Sequence, residues 1–119
     1  MSKYKEKRMW GTFENLLDAE YTKVKELVIR PGEKTSYQYH YKRSEVWIVV
    51  QGELVATLDD VEKVYKYGDI VDVPVGTKHR VANKQKEELK YIEVQTGTYF
   101  GEDDIVRLED DYGREGTSV

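Results

Sequence analysis

Residues 32–52 read GEKTSYQYHYKRSEVWIVVQG, and residues 68–83 read GDIVDVPVGTKHRVAN. The two stretches hold both histidines of the chain. Their skeletons are Gly32-x5-Gln38-x-His40-x4-Glu45-x6-Gly52 and Gly68-x5-Pro74-x-Gly76-x2-His79-x3-Asn83. Side chains of a strand alternate faces with a period of two. Gln38 and His40 therefore share a face, Glu45 shares one with Trp47 and Val49, and His79 shares one with Val81. Gly52 and Gly68 fall at strand ends, and Pro74-x-Gly76 sets a rigid turn just before His79. If these strands curl into a barrel, Gln38, His40, Glu45 and His79 converge on its interior. An amide oxygen, two imidazole nitrogens and a carboxylate would then surround one point. That set suits a single divalent cation with open positions, zinc first, with manganese, cobalt, nickel or iron as alternatives. Taken singly, a histidine on a strand is more often a packed residue than a ligand, so the joint pattern with its glycines carries the weight.

Outward from this centre the chain is a series of short strand-like runs. They are Thr22–Arg30, Ser36–His40, Glu45–Val50, Glu53–Leu58, Val61–Tyr65, Ile70–Val73, His79–Ala82 and Lys90–Gln95, with Gly101–Leu108 a candidate for another. Turn signals at Pro31-Gly32, Gln51-Gly52, Asp59-Asp60, Gly68-Asp69 and Val75-Gly76 separate most of them. Short strands at regular spacing without a long helical pattern predict an all-β sandwich or barrel. Asn15–Ala19 and Glu109–Tyr112 are the only stretches with a helical look, residues 1–8 read as frayed, and Arg114–Val119 as a loose tail.

Composition narrows the function classes. A chain of 119 residues is one domain. The absence of cysteine removes disulfides, thiolate metal sites and a thiol nucleophile. The net charge of −4 argues against sequence-independent nucleic-acid binding. No apolar run reaches the ~18 residues of a membrane span, and the basic N-terminus lacks the apolar stretch of a signal peptide. Cytoplasmic is the default location.

The two skeletons resemble the paired motifs of the cupin superfamily, the second at every specified position and the first with Gln38 in place of a histidine. The fold implied is a single-domain cupin, a double-stranded β-helix or jelly-roll barrel over residues 1–119 with its core about 8–114. A closer resemblance, to the cupin domain of type II phosphomannose isomerases, rests on several further matches. They are Trp10-Gly11 with Phe13-Glu14, Arg30-Pro31-Gly32-Glu33, Arg43-Ser44-Glu45 with Trp47, and Gly76-Thr77-x-His79-Arg80. The run Glu93-Val94-Gln95-Thr96-Gly97-x-Tyr99-x-Gly101-Glu102-Asp103-Asp104-Ile105-Val106-Arg107 and Asp111-Tyr112-Gly113-Arg114 complete it. In many relatives this domain follows a mannose-1-phosphate guanylyltransferase domain. This sequence does not contain that domain, so no nucleotidyl transfer is expected of it.

The resemblance implies interconversion of mannose 6-phosphate and fructose 6-phosphate, with Gln38, His40, Glu45 and His79 as the metal set. Relatives carry a His-rich stretch where this chain has Tyr41, Lys42 and Val46, and usually Pro where it has Met9. Those changes favour the alternative, a non-catalytic cupin that binds a sugar, sugar phosphate or sugar nucleotide, whereas the unbroken run Glu93–Arg107 favours the isomerase, which is the main expectation. Another small-molecule cupin enzyme, such as an epimerase or dioxygenase, is a third reading. For an isomerase the metal would polarise a substrate oxygen, and Arg or Lys would hold the phosphate. The catalytic candidates are Arg43, Glu45 and Lys42, and the substrate-binding candidates are Arg80, Arg107 and Lys42. For Arg80 a solvated surface charge is the slightly favoured reading, and Arg107 reads equally as a local ion pair worth little. Tyr37, Tyr39 and Tyr41 would lie opposite Gln38 and His40. Three tyrosines on one solvent face predict a homodimer.

Overall fold

The computed structural model describes residues 4–109. Eleven strands and a single 3-10 turn make up the elements of that span. In chain order they are β1 (Tyr4–Arg8), β2 (Gly11–Asp18), β3 (Thr22–Ile29), β4 (Tyr37–His40), β5 (Arg43–Gln51) and β6 (Leu54–Leu58). Then follow β7 (Val61–Tyr65), β8 (Ile70–Val73), β9 (His79–Ala82), β10 (Leu89–Gly97), the turn Glu102–Asp104, and β11 (Ile105–Glu109). Every strand pairing is antiparallel. One sheet runs β1-β2-β3-β10-β5-β8 and the other β11-β4-β9-β6-β7. The chain crosses between the sheets repeatedly, as a jelly-roll barrel requires. Among the described residues no helix is long and apolar enough to cross a membrane.

The expected strands are present, with two corrections near the N-terminus. Tyr4–Arg8 is not frayed: it pairs with β2 from Tyr4↔Asn15 to Arg8↔Gly11. Asn15–Ala19 is not helical, because most of it extends β2, whose Asn15 and Leu17 pair with Lys25 and Val24 of β3. Glu109 ends β11, while the rest of Glu109–Tyr112, the Asp111–Arg114 match and the tail Arg114–Val119 lie outside the described residues.

Alternation along three neighbouring strands gives the barrel a polar end and an apolar floor. The inward row of β5 is Arg43, Glu45, Trp47 and Val49. That of β10, running the other way, is Leu89, Tyr91, Glu93 and Gln95. On β3 it is Lys25, Leu27 and Ile29. The register stacks like on like: Tyr91 opposes Val49 and Leu27, Glu93 opposes Trp47 and Lys25, and Gln95 opposes Glu45. Below this level Ile29, Val49, Leu54 and Leu89 are wholly buried. Each such side chain contributes about 1.5–3 kcal/mol of transfer free energy.

The outer face of the second sheet is covered by the chain's own residues at Tyr37. Asp59 and Asp60 both take positive φ, 46° and 70°, as a two-residue type I′ hairpin between β6 and β7 demands. Tyr37 Oη donates to Asp60 Oδ1 at 2.7 Å and accepts from Asp60 N at 2.8 Å, while the Arg80 guanidinium lies over its ring. The open tyrosine face therefore reduces to Tyr39 and Tyr41, whose rings meet edge-on at 5.2 Å.

Candidate functional site

The polar end of the barrel holds a buried triad. One ligand atom each from His40, Glu45 and His79 lie within 4.8 Å of one another. The imidazoles stack with centroids 5.1 Å apart. Glu45 sits between them, Oε2 at 3.8 Å from His40 Nδ1 and Oε1 at 4.0 Å from His79 Nε2. The two motifs are joined by backbone as well. Gly76 N–H donates to His40 O at 2.9 Å from a φ of 82°, a region that glycine occupies without steric cost. The same turn offers Thr77 O to His79 Nδ1 at 2.9 Å. That bond leaves Nε2 as the lone-pair nitrogen of the neutral ring. His79 Nε2 is buried and has no hydrogen-bond partner.

These observations bear on whether the residues suit a metal ion. Two nitrogen donors and one ionised carboxylate, an unsatisfied buried lone pair and a backbone carbonyl fixing the tautomer match what a divalent site needs. Gln38 lies beside them on the cavity wall, opposite His79 in the register, its Oε1 accepting from Ser36 Oγ at 2.8 Å. The set fits a cation held by His40, Glu45 and His79, with Gln38 adjacent.

Arg43 enters the same cluster. Its Nε donates to Glu45 Oε2 at 3.1 Å, and its Nη2 lies 2.7 Å from His40 Nε2. Trp47 Nε1 donates to the other oxygen, Oε1, at 2.9 Å. Burial alone would raise the Glu45 carboxyl. Arg43 foremost, with the two histidines, outweighs it and holds the group well below the usual carboxylate range. Burial drives His40 down to about 3, assisted by Arg43 and His79 and opposed by Glu45, so the ring is neutral near pH 7.

The cluster opens into a cavity of about 80 Å³, room for roughly six waters. Four basic side chains line it, Arg8, Lys25, Arg43 and Arg107, against the carboxyl groups Glu45 and Glu93. Burial first, then the charge of Glu45, raises Glu93 to about 8, so it is protonated near neutral pH. Gln95 Nε2 donates to Glu93 Oε2 at 2.5 Å. Glu45 is therefore the one ionised acid among the residues lining the cavity, while Arg8 also pairs with Glu6 Oε2 at 2.5 Å.

The sequence-derived residues divide on this geometry. Gln38, His40, Glu45, His79 and Arg43 come together, and Arg107 reaches the cavity from β11, opposite Gln38. Lys42 does not: its ammonium lies over the Tyr99 ring, and its backbone N–H donates to Asp104 Oδ2 at 2.9 Å. Arg80 does not line the cavity either. Its side chain points outward from β9, where Nε donates to Thr35 O at 2.9 Å and Nη1 meets Glu109. Arg8, Lys25 and Glu93 were missed. Lys25 and Glu93 were legible as polar members of otherwise apolar inward rows, and Arg8 was lost with β1.

The family profile described as Mannose-6-phosphate isomerase C-terminal matches residues 2–110. The chain belongs to that family. Relatives include a mannose-1-phosphate guanylyltransferase of Salmonella montevideo, 43% identical over 107 residues, or 90% of this chain and 23% of that protein. The alginate biosynthesis protein AlgA of Pseudomonas aeruginosa is 42% identical, again over 90% of this chain and 22% of its own length. The chain thus spans under a quarter of these curated relatives. Among solved structures, the Cnp3 cupin domain of Schizosaccharomyces pombe superposes with a TM-score of 0.70 over 72% of this chain and 64% of its own, at 16% identity. The cupin fold expected from the paired motifs is confirmed.

The isomerase activity expected from the resemblance is corrected. Despite the family's description, the relatives carry guanylyltransferase and polysaccharide-biosynthesis names, not an isomerase name. The geometry agrees with the correction. Lys42, a catalytic candidate, is outside the cavity, and both oxygens of Glu45, another, accept hydrogen bonds from Arg43 and Trp47.

Proposed function

We propose that this domain is a non-catalytic cupin that binds a phosphorylated sugar and serves mannose-phosphate metabolism beside a guanylyltransferase activity. One observation carries the reading: a cavity lined by four basic side chains against a single ionised carboxylate. Arginine suits phosphate because its planar fork makes two parallel charge-assisted bonds. The phosphate is placed among the basic side chains that line the cavity, with the sugar ring toward its open side. Relatives named for mannose 1-phosphate make that sugar phosphate the first ligand to try.

The same domain is proposed to hold one divalent cation on His40, Glu45 and His79. When bound, the ion supplies Lewis acidity toward a ligand oxygen. His79→Ala is expected to stay folded and lose the metal, and retention of stoichiometric metal by that variant refutes the assignment.

Calorimetric titration tests the ligand. Mannose 1-phosphate is expected to bind and unphosphorylated mannose is not. Arg107→Gln is expected to weaken binding about tenfold or more, as loss of a charge-assisted bond of ~1.5–3 kcal/mol implies. Equal binding of mannose and its phosphate, or no binding of either, refutes the reading.

A further inference from the structure

The donors a cation would take from His40 and Glu45 are already engaged by a side chain of the protein. Arg43 Nη2 is 2.7 Å from His40 Nε2 and 3.1 Å from Glu45 Oε2, and Nε donates to the same oxygen at 3.1 Å. A guanidinium has donors only and does not deprotonate. His40 Nε2 must therefore be the accepting nitrogen, and the ring proton sits on Nδ1. That arrangement excludes metal ligation by either nitrogen. If Nε2 were to bind the ion, its lone pair is already given to Arg43. If Nδ1 were to bind it, Nε2 must carry the proton and would face an arginine N–H at 2.7 Å.

We propose that Arg43 is a built-in competitor for the cation: its guanidinium and a divalent metal ion are mutually exclusive occupants of the His40–Glu45 pair. The inference rests on the cation part of the proposed function and not on the phosphate part. His79 Nε2, which no hydrogen bond satisfies, is the donor open to an arriving ion. Arg43 must then leave His40, and the cavity it already lines is the space available to it. Electrostatics points the same way. A buried carboxylate without a counter-charge is strongly unfavourable, so Glu45 requires a positive partner. A dication and a guanidinium together on one carboxylate would repel.

The test is titration of the chelator-treated full chain with Co2+, followed by the visible absorption of bound cobalt, in wild type, Arg43→Gln and Arg107→Gln. Arg107→Gln removes the same charge from the cavity wall and serves as the control for charge alone. If a competitor holds the donors about nine-tenths of the time, its removal tightens apparent affinity about tenfold. Arg43→Gln is expected to bind Co2+ at least about tenfold tighter than wild type, with Arg107→Gln gaining clearly less. Equal gains in the two variants, or no gain in Arg43→Gln, overturn the proposal. Absence of Co2+ binding in all three instead removes the cation reading beneath it.

A wild-type measurement covers the case in which Arg43→Gln fails to fold. Zn2+ is expected to abolish the slow solvent exchange of the Arg43 Nε proton in 15N NMR, and unchanged protection at full loading overturns the proposal. Neither experiment contains a sugar phosphate, so its outcome is independent of that ligand.

Discussion

The backbone N–H of Gly76 donates to the carbonyl of His40 at 2.9 Å, so the turn that aims one imidazole is tied to the strand that carries the other. Any other residue at Gly76 would meet a left-handed φ of 82°, at roughly 1–2 kcal/mol. Gly76→Ala is expected to lose about that much stability in urea unfolding. It is also expected to weaken Co2+ binding, because the strain is relieved by moving the turn off His40.

Burial of Glu93 and His40 sets a pH profile with a calculable sign. Glu93 titrates near 8 in the folded chain, against an ordinary carboxyl value of 4.5. Between those values the folded state holds more protons than the unfolded one, so stability falls as pH rises. His40 has the opposite displacement, about 3 against 6.5, so its contribution falls as pH drops below 6.5. The two slopes oppose each other between 4.5 and 6.5, and only that of Glu93 remains above 6.5. Chelator-treated protein is therefore expected to lose roughly 1.3 kcal/mol between pH 6.5 and 8. Glu93→Gln is expected to flatten that limb in denaturant melts taken across the range. A limb of unchanged slope in the variant would show that another group titrates.

Arg43 links metal and anion thermodynamically. A guanidinium freed by the cation adds a phosphate ligand to the cavity, so loading the metal should tighten anion binding, and by reciprocity the anion should tighten the metal by the same factor. With sulfate as the anion and Co2+ as the metal, a coupling of about tenfold is expected. It should fall in Arg43→Gln to what the ion's own charge supplies.

Asn83, the last residue of the second motif, has a structural role. Its Nδ2 donates to Ile29 O and Glu87 O at 2.9 and 2.7 Å, and its Oδ1 accepts from Gln85 N at 3.0 Å. Asn83→Ala leaves those backbone groups unmatched and is expected to cost about 2–4 kcal/mol in thermal or urea unfolding. Anion affinity measured well below the transition should not change.

Arg80→Gln discriminates the residue expected from sequence from those the fold selects. Its guanidinium serves Thr35 O and Glu109 on the outer side of the sheet. Mannose 1-phosphate affinity should stay within about twofold of wild type, and stability should fall by roughly 1 kcal/mol. Arg107→Gln should do the reverse.

Particular residues show how much could be read from sequence. Val61–Tyr65, Ile70–Val73 and His79–Ala82 were placed to the residue, because glycine or paired aspartates bound them and alternation fills them. His40, Glu45 and His79 were placed together because motif spacing reports turns, and turns fix which strand faces which. Lys42 and Arg80 were misplaced for one reason. Both adjoin inward residues, Arg43 and His79: Arg80 is one step along β9 and so faces the other side, and Lys42 lies in the bend between β4 and β5. Arg43 was read as a catalytic residue. The backbone beside it approaches Gly97 more closely than any pattern shows: a Cβ there would lie 2.9 Å from Arg43 Cα and 2.2 Å from Lys42 O.

The edge strand β1 carries Arg8 to the cavity and is paired with β2 alone. The following turn is anchored by Arg30, whose N–H and guanidinium donate to Trp10 O and Met9 O. One wall of the cavity is therefore an edge, and edges are the parts of a sheet that open first by local unfolding. Occupancy of the barrel then has a readout remote from the bound atoms. An anion that engages Arg8 adds its binding free energy to the opening of β1. Amide hydrogens of Lys5–Arg8 would slow their exchange in proportion to saturation, while those of the inner strands β10 and β5 would not respond.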